Sequence, residues 1–299
     1  MRPPWAAHCH AAPFLSDVIR WERLRQGTDA EVWRVTRKSA ETLIAKRGIA
    51  FEAREAAVYR DVLAPLGIRC PAVYADWADG SAHVLLVEDL GRETLEAAPT
   101  PEGFASAARS LADMRSISAE RLRVGLLRPD VHAAHYQPAE RYAGRVSRLL
   151  DSASLESWQR LTLRRILERL PGYVERLYET AAAALTHNDY NAKNLVVTDT
   201  GVVAIDWSHA ELSPHLGDLY CLLRDAQAYG AAAADVTDAY LAGQKVSDIA
   251  WQIQMGGLCW IIRGLHWVWA VDRDNRNREH LMDVFIRGAA ECLNNLEEL

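Results

Sequence analysis

The stretch that decides the fold is LTHNDYNAKNLVVTDTGVVAIDWSHAE, residues 185–211, where His187, Asp189, Asn194 and Asp206 stand around two short β-branched runs. A packed core needs apolar residues, whereas His-x-Asp-x-x-x-x-Asn presents a carboxylate and a carboxamide a few residues apart. A second carboxylate ends the second apolar run, in VVAID. Each run reads as a short strand, with a turn between them. Polar groups placed this way on loops beside strands point to chemistry on a bound substrate.

Working outward, residues 21–48 alternate apolar and polar side chains at period two, with Gly27, Thr28 and Asp29 as a turn. They read as a hairpin followed by a third strand that carries Leu43, Ile44 and Lys46. Ala56, Val58, Val62 and Leu63 recur at helical spacing before Pro65 and Gly67. AVYADWADGSAHVLLVEDL then reads as a second hairpin, turning at Asp79 and Gly80. From about residue 93 the texture is helical. Thr100-Pro101-Glu102 opens the first helix, over 101–118, and others are expected at 135–150, 155–184, 214–228, 234–243, 246–271 and 276–297. The fold class is therefore α+β: a tail over 1–20, an antiparallel sheet with one helix over 21–90, and a larger, mainly helical lobe over 91–299.

Composition narrows the function. The chain has 299 residues, 49% apolar and 25% charged, so a substantial core can form. A net charge of -6 argues against a nucleic-acid groove, which normally needs a basic surface. The excess acid lies beyond residue 90, where 28 acidic side chains face 22 basic ones. Five widely spaced cysteines, Cys9, Cys70, Cys221, Cys259 and Cys292, form no Cys-x-x-Cys, so neither a disulfide framework nor a zinc site is expected. His8, Cys9 and His10 read as part of the tail. The most apolar stretch, residues 255–271, is interrupted by Arg263 and His266 and is too short to span a bilayer. With no signal-peptide core at the start, the expectation is a cytoplasmic protein acting on small molecules, as a monomer or homodimer, without nucleic acid or membrane as partner.

The residue types suggest their roles. A hydroxyl becomes an effective nucleophile when a carboxylate accepts its proton, and Asp189 is placed to do this. Asn194 and Asp206 offer one neutral and one charged hard oxygen, the donors Mg²⁺ takes. Together with Lys46 at a strand end and Glu55 on the next helix, the pattern resembles the aminoglycoside phosphotransferase and choline kinase superfamily, small-molecule kinases with a bilobal protein-kinase-like fold. The resemblance spans about residues 20–245. It implies ATP, or GTP, as donor with Mg²⁺; Asp189 as catalytic base; His187 as a brace of the loop; and Asn194 and Asp206 as metal ligands. It further implies that Lys46 pairs with the α and β phosphates and that Glu55, rather than nearby Glu52, holds it. LRQGTDAEVWRV resembles the nucleotide-covering hairpin, with Gly27 alone where protein kinases have three glycines. LLVEDL resembles the interlobe hinge, with the backbone of Glu88 and Leu90 facing the base. Asp218 corresponds to an aspartate that steadies the catalytic loop, or else caps a helix.

The acceptor is expected against the last long helices, where Trp260, Arg263 and Trp267 share one face. The expected reaction is phosphorylation of a small-molecule hydroxyl, foremost on an antibiotic, with a primary metabolite such as choline, a sugar or homoserine as the alternative acceptor. The joint presence of Lys46, Asp189, Asn194 and Asp206 argues against a silent nucleotide-binding regulator. Absence of Asp-Phe-Gly and Ala-Pro-Glu argues against a protein kinase.

Overall fold

The structure is a computed structural model and describes residues 2–8, 13–27, 29–151, 155–242, 244, 246–270 and 276–299. Cys9, His10 and Thr28, named above for the tail and the first turn, lie outside the described residues. The class is α+β, as expected. Two compact units are present, Met1–Pro99 with Ala192–Ala210, and Thr100–Asn191 with Glu211–Leu299. This division differs from the expected boundary at residue 90. The first unit runs to Pro99 and also takes in a segment counted above with the helical lobe.

In the first unit, β1 (Val18–Gln26), β2 (Ala30–Arg37), β3 (Thr42–Ile49), β4 (Val73–Asp79) and β5 (Ala82–Glu88) form an antiparallel sheet in the order β1-β2-β3-β5-β4. Period-two alternation sorts the side chains of β3. Leu43 and Ala45 join Trp33, Val35, Val84 and Leu86 in one buried cluster, while Lys46, which pairs with Leu85, faces the other way. That second face meets a continuous helical run: a 3-10 turn at Glu52–Arg54, α1 (Glu55–Val58) and a π-wound turn at Tyr59–Leu63. Gly48 permits the close turn into this run, since a Cβ there would lie 2.7 Å from the Glu52 carbonyl.

The expected tail is corrected. Trp5, Ala6 and Leu15 are buried in the same cluster as Leu43, and the Trp5 ring meets Trp21 edge-on at 5.7 Å. The physical reason is that the helical run covers only one face of the sheet. Without the first residues, Trp21, Trp33 and their neighbours would stay in water. The hairpin of β7 (Leu195–Thr198) and β8 (Gly201–Ala204) completes this unit, with Leu195 opposite Ala204.

The second unit contains α2 (Pro101–Arg123), α3 (Pro129–His135), α4 (Glu140–Leu150), α5 (Ser157–Thr180), α6 (Gly217–Ala228), α7 (Ala233–Leu241), α8 (Ile249–Ala270) and α9 (Arg278–Glu298). It also holds a two-stranded pair, β6 (Ala184–Thr186) with β9 (Glu211–Ser213). The Thr100 hydroxyl caps α2 by accepting the Gly103 N–H at 3.0 Å. The helix expected over 135–150 is broken. Pro138 disfavours helical geometry at Gln137, whose N–H instead donates to the Leu212 carbonyl at 2.9 Å. α4, α5, α8 and α9 supply the core, including Val146, Leu163, Ile166, Leu258, Ile262 and Ile286. α8 approaches the start of α6 at Gly256, where a Cβ would come within 2.4 Å of the Leu216 carbonyl carbon. Among the described residues no helix is long and apolar enough to cross a membrane.

Candidate active site

In the sheet-containing unit, β3 delivers Lys46 to three carboxylates. Its Nζ lies 2.7 Å from Glu55 Oε2, 2.7 Å from Asp206 Oδ1 and 2.8 Å from Glu52 Oε2. Burial disfavours the ammonium, but the three acids outweigh it and raise the Lys46 pKa, so the side chain stays charged. Burial also raises Glu55, opposed by Lys46 and reinforced by Asp206. The resemblance implies Glu55 rather than Glu52, but both glutamates touch the lysine. Glu55 is the more buried, and it also accepts the Trp207 N–H at 2.9 Å.

The β7–β8 hairpin explains how Asn194 and Asp206 come together. With Leu195 opposite Ala204, the Ile205 N–H donates to the Asn194 carbonyl at 2.9 Å, so both residues sit at the open end of the hairpin. Asp206 is left-handed at φ 67°, a conformation an aspartate tolerates only when its surroundings fix it. Here the Lys46 contact and the Trp207–Glu55 bond do so. Asn194 is buried. One carboxamide and one carboxylate at a hairpin end are the donor chemistry that Mg²⁺ accepts. Among the described residues, the oxygens of Glu52, Glu55 and Asp206 lie within 4.8 Å of one another.

The remaining nucleotide-side expectations are less uniform. Gly27 lies in the β1–β2 turn and donates to the Ala30 carbonyl at 2.8 Å, but a Cβ there would make only ordinary contact at 3.5 Å. Its backbone therefore does not require glycine. The Glu88 N–H is committed to the Ala72 carbonyl at 2.8 Å, which leaves only its carbonyl for a base. Leu90, half-buried, follows it. Between them Asp89 takes a two-pronged contact from Arg34, whose Nη2 donates to Asp89 Oδ1 at 2.9 Å and to the Gly91 carbonyl at 3.1 Å. Burial alone would raise Asp89, but the Arg34 fork prevails and holds it below the usual carboxylate range. Sequence reading missed this anchor because a period-two strand gives no sign of its partner 55 residues away.

In the helical unit, β6 leads directly into the loop carrying His187 and Asp189. His187 is fully buried, and its Nδ1 accepts the Asp189 N–H at 3.2 Å. Asn188 is left-handed at φ 64°. Asp218 holds this bend through two bonds, accepting the N–H groups of His187 at 2.7 Å and Asn188 at 2.8 Å. It makes no cap on α6, so the loop-steadying alternative is the one observed. Burial raises the Asp218 pKa, and His187 and the two N–H groups oppose the rise. The Trp260 Nε1 donates to the Asn188 carbonyl at 3.0 Å, and Arg263, one turn further along α8, lies 3.3 Å from Glu211. Trp260 and Arg263 are thus fixed beside the loop, while Trp267 is half-buried further along the same helix.

A model of the phosphotransferase enzyme family matches residues 20–251. The chain belongs to the phosphotransferase enzyme family. No curated protein matches the sequence of this phosphotransferase. Among solved structures it is similar to a choline/ethanolamine kinase family protein from Mesorhizobium loti, at 18% identity and TM-score 0.66, covering 98% of this chain and 93% of that one. It is also similar to a choline kinase from Cryptosporidium parvum, at 13% identity and TM-score 0.66, covering 98% and 95%. A third is the aminoglycoside phosphotransferase APH(4)-Ia in ternary complex with AMP-PNP and hygromycin B, at 13% identity and TM-score 0.58, covering 91% and 95%. At these identities the likeness establishes the protein-kinase-like fold. The family match makes the chain a small-molecule kinase.

Proposed function

We propose that this phosphotransferase moves the γ-phosphoryl group of a Mg²⁺-bound purine nucleotide, ATP foremost, to a hydroxyl of a small molecule. The observation that carries the reading is the Lys46 ammonium held 2.7 Å from both Glu55 and Asp206. A lysine fixed in this way is poised to exchange a carboxylate for phosphate oxygens. Asn194 and Asp206 would hold Mg²⁺, which when bound neutralises phosphate charge.

Asp189 accepts the proton of the acceptor hydroxyl as the new oxygen–phosphorus bond forms, while the bond to the departing nucleoside diphosphate breaks. Its backbone is set by His187 and by Asp218 acting through the two preceding N–H groups, so the carboxylate reaches the hydroxyl with little reorganisation. Asn191 Nδ2 donates to the same carboxylate and orients it.

The acceptor is placed against the Trp260 and Arg263 face of α8. An antibiotic and a primary metabolite both fit the family, but a polycationic aminoglycoside fits this face poorly, since Arg263 and Arg145 both draw on Glu211 there. Thermal unfolding with and without Mg²⁺-ATP tests the nucleotide reading. At 100 times Kd the wild type should gain about 2.7 kcal/mol. Lys46→Ala and Asp206→Ala should lose most of that gain, and an unchanged gain in both would overturn the assignment.

A further inference from the structure

A buried basic cluster lies in the helical unit, one helical turn from the loop that carries Asp189. Arg145 on α4 and Arg263 on α8 share a single carboxylate, Glu211 on β9, at 4.0 Å and 3.3 Å. The Arg145 guanidinium brings five N–H donors, more than the carboxylate it shares can meet. Arg145 Nη2 reaches Gln137 Oε1 at 3.4 Å, but Arg141 Nη1 draws on that same oxygen at 3.2 Å. Arg145 Nη1 and Gln137 Nε2 are enclosed donors that meet no acceptor among the described residues. Their side chains belong to residues only 7% and 0% exposed. Buried donors without acceptors, and a buried guanidinium that shares its counter-ion, are costly to keep unless a ligand completes them.

The surroundings add positive charge. Burial first, and then Arg115, Arg263 and Arg145, push the His215 pKa down to about 3. Burial, Arg145 and Arg148 likewise lower His266. Placement relates the cluster to the reaction. Trp260 donates to the Asn188 carbonyl, immediately before Asp189, and Arg263 follows three residues along α8, about 4.5 Å by helical rise. Glu211 pairs across the strands with Thr186, three residues before Asp189. Asp189 and the arginines are therefore carried by adjoining segments of one unit.

We propose that the acceptor hydroxyl compound also carries an oxyanion, a carboxylate or a phosphate, and that Arg145, Arg263 and the Gln137 amide hold it. The inference rests on the reading of Asp189 as the acceptor-side base. It turns the substrate class away from cationic acceptors such as choline. An oxyanion supplies the acceptors that Arg145 Nη1 and Gln137 Nε2 lack, and it matches the planar fork of a guanidinium.

The test is binding to the full chain with Mg²⁺-ADP present, using inorganic phosphate, glycerate and glycerol 3-phosphate as probes, with glycerol, choline and an aminoglycoside as uncharged and cationic counterparts. At least one oxyanion probe should stabilise the wild type in thermal unfolding, glycerol and choline should not, and Arg145→Met should weaken that probe at least tenfold. Preference for glycerate or for glycerol 3-phosphate identifies the anion. Arg145→Met without ligand should be no less stable than the wild type, whereas a merely structural ion pair would make it less stable. If Arg145→Met fails to fold, Gln137→Leu with the same probes replaces it, with weaker oxyanion binding expected. Equal or tighter binding of choline or the aminoglycoside, or oxyanion binding unchanged in the variants, would overturn the inference. A wild type stabilised by Mg²⁺-ADP but by no oxyanion would overturn it while leaving the phosphotransferase reading intact; no response to either would overturn both.

Discussion

The backbone N–H of Trp207 donates to Glu55 Oε1 at 2.9 Å, so the residue that follows Asp206 is tied to the carboxylate that grips Lys46. Glu55 therefore fixes the hairpin end as well as the lysine, and Glu52, which meets Lys46 and the Ser208 hydroxyl, does less. Glu55→Ala should lower stability by about 3 kcal/mol, because it leaves a buried ammonium short of one partner and an enclosed N–H unmet. Glu52→Ala should cost less than about 1 kcal/mol. Urea unfolding of the two variants checks the order, and equal losses would remove the distinction.

Asp218 acts on the catalytic loop through backbone N–H groups alone. Asp218→Asn keeps the shape but offers one acceptor oxygen where the His187 and Asn188 N–H groups need two. We expect a stability loss of about 1–3 kcal/mol. Turnover should fall while nucleotide affinity stays within about threefold, a shift of some 0.6 kcal/mol. Nucleotide titration beside steady-state kinetics separates the two; a loss confined to nucleotide affinity would contradict the role.

His215 gives the fold a pH dependence. Its Nδ1 accepts the Gly217 N–H at 3.0 Å, which protonation would break, and burial followed by Arg115, Arg263 and Arg145 holds its pKa near 3, against an ordinary value of 6.5. Between those values the unfolded chain carries a proton that the folded chain refuses, so stability falls as pH is lowered. From pH 7 to pH 5 the His215 contribution is a loss of about 2 kcal/mol. Urea unfolding at both pH values should show His215→Gln losing less than the wild type by about that amount, and parallel losses would contradict the assignment.

Gly256 lets α8 meet the backbone at the start of α6, and a methyl group there would fall 2.4 Å from the Leu216 carbonyl carbon. Gly256→Ala should cost about 1–3 kcal/mol by overpacking. It should also reduce turnover, since the same helix carries Trp260 against the Asn188 carbonyl. A variant as stable as the wild type by thermal unfolding would show that the two segments can separate freely.

Much of this arrangement was legible in the sequence because its signals are local. His187, Asp189 and Asn194 fall within eight residues, and the strand-turn-strand before Asp206 fixes where that aspartate lands. Lys46 announces itself by rarity in a chain that uses arginine for most of its basic positions. What sequence could not give depends on partners far along the chain. The Arg34 fork on Asp89, the packing of Trp5 on the sheet, and the pairing of Arg145 and Arg263 through Glu211 join residues with no shared periodicity. The break at Gln137 had a local sign in Pro138, but the apolar spacing around it read as one helix.

The most direct test of the central claim is mass spectrometry of candidate acceptors incubated with Mg²⁺-ATP and either the wild type or Asp189→Ala. The panel should contain hydroxy acids, sugar phosphates, antibiotics of several classes, choline and simple sugars. The wild type should add one phosphoryl group to an acceptor hydroxyl, and Asp189→Ala should do so roughly 10² to 10⁴ times more slowly while still binding the nucleotide. Undiminished transfer by Asp189→Ala, or a wild type that modifies no acceptor and binds no nucleotide, would contradict the account.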